Sequence, residues 1–121
     1  MQRVELPEDM SIRAPDGSEV RILAAAAAGT MAHFLLPPGQ TSIAKAHRTV
    51  EELWYFVEGA GEMVIGDEVC EVGPGVSIHI PVGTRFQFRT TGSTALAAVA
   101  VTMPPWPGDD EAIDAPAYWS P

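Results

Sequence analysis

Eleven glycines and eleven prolines are spread along 121 residues, and this punctuation constrains the fold more than any other feature. It cuts the chain into runs of about five to eight residues, long enough for strands and too short for helices that must offset a costly first turn. The expected strands are Val20 to Ala25, Thr30 to Leu36, Ser42 to His47, Glu52 to Glu58, Glu62 to Ile65, Glu68 to Val72, Val76 to Ile80, Arg85 to Thr90 and Leu96 to Met103. Between them stand Pro37-Pro38-Gly39, Gly59-Ala60-Gly61, Gly66-Asp67, Gly73-Pro74-Gly75, Pro81-Val82-Gly83 and Gly92, all turn signals. Ala24 to Ala28 favours a helix by propensity, but Gly29 ends the run so early that a strand is expected there too. The pattern is that of an all-β chain.

A chain of this length holds one domain, with one core and one main site. Residues 1–18 read as an irregular N-terminal segment closing in Pro15-Asp16-Gly17-Ser18, residues 19–103 as the β domain, and residues 104–121 as a proline-rich acidic tail. The tail is expected to be ordered only where Trp106, Tyr118 or Trp119 docks, with Asp109, Asp110, Glu111 and Asp114 in solvent. Seven Lys+Arg against 16 Asp+Glu give a formal charge of −9, and such a surface repels both phosphate backbones and anionic lipid. Neither nucleic acid nor a membrane is therefore an expected partner. The single cysteine, Cys70, permits no internal disulfide framework and suits a reducing compartment. With no apolar signal segment at Met1 to Asp9 and no run of ~18 apolar residues, a cytoplasmic location is expected.

Two spaced motifs carry more. Gly39, Lys45, His47, Glu52 and Gly59 are separated by five, one, four and six residues; Gly75, Pro81, Gly83 and Phe86 by five, one and two; fifteen residues lie between Gly59 and Gly75. The pattern resembles the cupin superfamily, whose motifs read G-x5-H-x-H-x(3,4)-E-x6-G and G-x5-P-x-G-x2-H-x3-N. The resemblance covers residues 39–90 directly and implies a single-domain, all-β, cupin-type jelly-roll barrel that pairs as a homodimer. In the family the histidines and the glutamate are metal ligands. Here His47 and Glu52 stand at two of these positions, whereas Lys45, Phe86 and Thr90 replace the first histidine, the last histidine and the asparagine. An ammonium and a phenyl ring cannot ligate a divalent ion, so no metal and no other cofactor is expected.

Strand alternation assigns side-chain facing independently of the family. Phe86 and Phe88 share one face of their strand, Glu52, Trp54 and Phe56 share another, and Lys45 and His47 a third. The expected interior is an aromatic cup in which Trp54, Phe56, Phe86 and Phe88 bind a ligand and Lys45, His47 and Glu52 do the chemistry. Lys45 is the only lysine, and a buried ammonium needs a counter-charge, which Glu52 is expected to supply. His79 should face away from the cup; the facing of His33 stays open. The first function this supports is a metal-independent isomerase, cyclase or lyase acting on a small, partly apolar carbonyl or carboxylate compound. In it Lys45 is the cation or acid/base, Glu52 the base or counter-charge and His47 the proton partner. A second is a non-catalytic module in which the same cup captures a metabolite; apart from function, Lys45 can also be read as half of a structural ion pair that holds the barrel, or as a lysine reaching to its mouth. A third keeps a metal on His47, Glu52 and possibly His33. The expected partners are a small-molecule ligand or substrate and a second copy of the chain.

Overall fold

A computed structural model describes residues 1–121 as eleven strands without a helix. They are β1 (Ile12–Arg13), β2 (Glu19–Ala26), β3 (Gly29–Leu36), β4 (Lys45–His47), β5 (Glu51–Glu58), β6 (Gly61–Ile65), β7 (Glu68–Val72), β8 (Ser77–Ile80), β9 (Phe86–Thr90), β10 (Leu96–Met103) and β11 (Ala112–Asp114). Every pairing is antiparallel. One sheet runs β1-β2-β3-β10-β5-β8 and the other β11-β4-β9-β6-β7, and the two form a jelly-roll barrel. The alanine run continues β2 through Ala26 before turning into β3, because its amides join the ladder to Thr30 and Gly29. All nine expected strands are present. β1 and β11 arise where an irregular segment and a tail were expected: β1 folds back on β2 across the Pro15-Asp16-Gly17-Ser18 turn, and β11 pairs with β4, far from it in sequence.

Alternation decides what the barrel encloses. Along β5, Glu52, Trp54 and Phe56 are buried while Leu53, Tyr55 and Val57 are exposed. Phe86 and Phe88 on β9 meet Trp54 and Phe56 from the opposite sheet, joined by Leu36, Met63, Ile80 and Leu96 in one apolar core. Burying each such large side chain stabilises the fold by about 1.5 to 3 kcal/mol. The motif glycines serve the turns between these strands. Gly59 has φ 81° and a Cβ there would strike the Ala95 carbonyl oxygen, so no other residue fits.

The polar face of β9 is not left to solvent as its pattern suggests, for Gln87 is fully buried beneath the C-terminal segment. Its amide nitrogen donates to the carbonyls of Ser42 (2.9 Å) and Trp119 (2.8 Å), and its oxygen accepts from the amides of Tyr118 (2.9 Å) and Trp119 (3.0 Å). Arg89 lies over the Trp119 ring at 4.4 Å. One glutamine thus anchors the end of the chain to the second sheet.

Candidate active site

One end of the barrel opens into a cavity of about 510 Å³. Its apolar wall includes Val20, Ala32, Phe34, Trp54, Phe86 and Trp106, and its polar stripe includes Asp16, Lys45, His47, Glu52 and Thr102. The volume lies in the range that encloses a small organic molecule. Phe34 and Trp54 both line the cavity and stack in parallel, with ring centroids 5.1 Å apart and planes 6° from one another.

Short-range geometry fixes each polar residue. His47 ends β4, where its carbonyl accepts from the amide of Gly83 at 2.8 Å; the Pro81-Val82-Gly83 turn therefore tethers the strand carrying the imidazole. Gly83 has φ 73°, a left-handed conformation that suits glycine. Phe86 packs on the His47 ring at 4.9 Å, and Trp106 meets it edge-on at 5.4 Å. Glu52 stands opposite Thr102 across the β5–β10 ladder and accepts a short hydrogen bond from its hydroxyl. The other carboxylate oxygen, Oε1, accepts from the indole nitrogen of Trp54 at 2.9 Å. His47 Nδ1 lies 3.9 Å from that same Oε1, too far for a hydrogen bond, and has no other partner.

Lys45 does line the cavity, but its counter-charge is not Glu52. Its ammonium donates to Asp114 Oδ1 at 2.8 Å, because β11 sets Asp114 directly opposite Lys45. The Lys45 charge in turn draws the Asp114 carboxyl below its ordinary value, chiefly through that hydrogen bond. Trp54 and Phe86 also line the cavity as expected, whereas Phe56 and Phe88 do not. Those two rings face inward yet lie deeper, in the core: alternation reports which face a residue takes but not its depth. His79 faces outward and pairs with Glu51 at 2.8 Å. His33 does not line the cavity either, whereas its neighbours Ala32 and Phe34 do. Burial, aided by the Arg21 charge, pushes the His33 imidazole below its ordinary value.

Three site residues escaped the sequence reading. Asp16, taken for a turn residue, is buried at the cavity with its Oδ1 accepting from the Ser18 amide (2.9 Å) and hydroxyl (2.6 Å). Burial raises its carboxyl above the ordinary value, against the opposing pull of the Ser18 bonds and of His47 and Lys45. Thr102 shares strand parity with Ala98 and Ala100, a signal present in the sequence but empty without the β5–β10 register. Trp106 was legible only as an aromatic able to dock.

The divalent metal implied by the motif resemblance does not fit these donors. Lys45 is engaged with Asp114, Phe86 presents a ring, both Glu52 oxygens accept hydrogen bonds, and His33 does not line the cavity. No three His, Cys, Asp or Glu side chains come together as a ligand set.

Comparison with known proteins accords with this architecture. The chain is 31% identical over 84 residues to the uncharacterized protein MJ1618 of Methanocaldococcus jannaschii, covering 69% of this chain and 67% of that one. Among solved structures it is similar to the polyketide cyclase RemF from Streptomyces resistomycificus, with a TM-score of 0.72, 26% identity, and coverage of 85% of this chain and 79% of that one. KdgF from Halomonas sp. superposes with a TM-score of 0.71 at 16% identity, over 85% and 94% of the two chains, a likeness of fold alone. The family model described as Cupin domain matches residues 32–102, more than half of the chain, and the chain belongs to the cupin family.

Proposed function

We propose that this cupin binds a small, partly apolar carbonyl or carboxylate compound and carries out metal-independent acid–base chemistry on it, by isomerisation, cyclisation or elimination. The observation that carries the reading is the buried Glu52 carboxylate, held by two donors and facing the unpartnered Nδ1 of His47 across 3.9 Å within an aromatic wall. A carboxylate held in place beside an imidazole can exchange a proton with a bound molecule at little cost in reorganisation. Lys45 is the nearby cation, able to attract a carboxylate or a developing oxyanion by trading its contact with the exposed Asp114. The similarity to a polyketide cyclase supports the same class of chemistry, since ring closure between carbonyl groups proceeds through proton transfers.

The test is solvent-deuterium exchange into a panel of cyclic ketones, aryl ketones and keto acids, followed by NMR. Exchange that follows a bell-shaped pH profile and falls by about 100-fold or more in His47→Phe and Glu52→Gln is expected. Binding without exchange across the panel would favour a binding module instead.

A further inference from the structure

The gap between His47 and Glu52 points to a particular functional group. His47 Nδ1 is buried without a hydrogen-bond partner, which is rare and costly for a ring nitrogen, and Glu52 Oε1 lies 3.9 Å away. One ligand atom between them can bond to both if it accepts from an Nδ1–H and donates to the carboxylate. With the proton on Nδ1, a carbonyl oxygen accepts but cannot donate, and an ammonium donates but cannot accept. A hydroxyl does both. Its surroundings say what carries it: Phe34, stacked on Trp54, lines the cavity together with Trp54, Phe86 and Trp106, and Phe86 lies edge-on to Trp54 at 6.1 Å while packing on His47. Flat conjugated rings suit such a wall better than puckered or branched ones.

We propose that the group bound between His47 and Glu52 is the hydroxyl of a phenol or cyclic enol, with the ring lying along the Phe34 and Trp54 wall. This deepens the proposed function and rests on its reading of the cavity as the ligand site. An enol is also the tautomer through which acid–base chemistry on a carbonyl compound passes, so the same contacts serve binding and turnover.

Matched probes that differ only in the hydroxyl test the assignment. Wild-type protein is titrated with 2-naphthol and with 2-methoxynaphthalene, following tryptophan fluorescence and the ¹⁵N resonances of His47. The expected result is at least about tenfold tighter binding of 2-naphthol, a shift of the His47 Nδ1 resonance, and loss of the preference in His47→Phe and Glu52→Gln. Equal affinity for both probes in wild type, or a preference that survives in folded variants, overturns the hydroxyl assignment and leaves the cavity as the ligand site. The wild-type comparison stands even where a variant fails to fold. Failure of both probes to bind, with no perturbation of Trp54 or His47 at the solubility limit, overturns the assignment together with the reading on which it rests.

Discussion

At the scale of single residues, the site depends on where each charge finds its partner. Removing Lys45 releases Asp114, which is 93% exposed and readily solvated, whereas removing the Glu52 carboxylate leaves the Trp54 indole and the Thr102 hydroxyl without acceptors inside the barrel. Each buried group left unpaired costs about 1 to 3 kcal/mol. Glu52→Leu should therefore melt well below Lys45→Met, by roughly 4 °C or more, as differential scanning calorimetry would measure. Equal melting temperatures would mean that Glu52 is hydrated and not held. The inward facing of Lys45, His47 and Glu52 was legible because alternation is a local property of each strand. The partner of Lys45 was not, because Asp114 lies 69 residues away and belongs to a strand that sequence patterning does not reveal.

At the scale of elements, the C-terminal segment completes the cup: it supplies Trp106, Asp109 and Ala112 to the wall and β11 to the second sheet. Glu111 is its pin. Instead of standing in solvent with the other tail acids, its carboxylate accepts from the Thr49 hydroxyl and from the amides of Thr49 (2.7 Å) and Val50 (3.1 Å). Burial acts to raise this carboxyl, but those three bonds outweigh it and the group titrates below its ordinary value of 4.5. The stabilisation is therefore present above the ordinary value and is lost as pH falls through the lower folded one. Glu111→Gln should melt below wild type at about pH 7, with the difference closing as the pH is lowered to about 3. A difference that stays constant with pH would show that the carboxylate charge contributes nothing. Nothing in the spacing of Asp109, Asp110, Glu111 and Asp114 distinguishes Glu111; the loop it caps does.

At the scale of the whole molecule, the two sheets close a core at one end and hold a ligand-sized cavity at the other, with the six-stranded sheet exposing Leu53, Tyr55, Val57 and Met31. On a chain of net charge −9 these four side chains are uncharged, the neighbouring Glu51 is paired with His79, and β8 beside them is a free sheet edge, so the expected homodimer would meet here with little repulsion. Light scattering should then give twice the 12.9 kDa chain mass, and Leu53→Lys with Tyr55→Lys should halve it; a single-chain mass for wild type would remove the dimer. Turn signals and strand parity made the barrel legible in advance, while the cavity's depth, its Asp16 and Thr102, and the segment across its mouth depend on long-range pairing. Lys45 and Phe86, paired across β4 and β9, occupy two of the family's ligand positions, so hydrogen-bonding chemistry is expected to stand where relatives hold a metal. Calorimetric titration of Zn²⁺ and Ni²⁺ into wild type and into Lys45→His with Phe86→His tests this. No site is expected in wild type and one in the double variant, where four ligands can assemble. Stoichiometric binding to wild type that is lost in His47→Phe would contradict it.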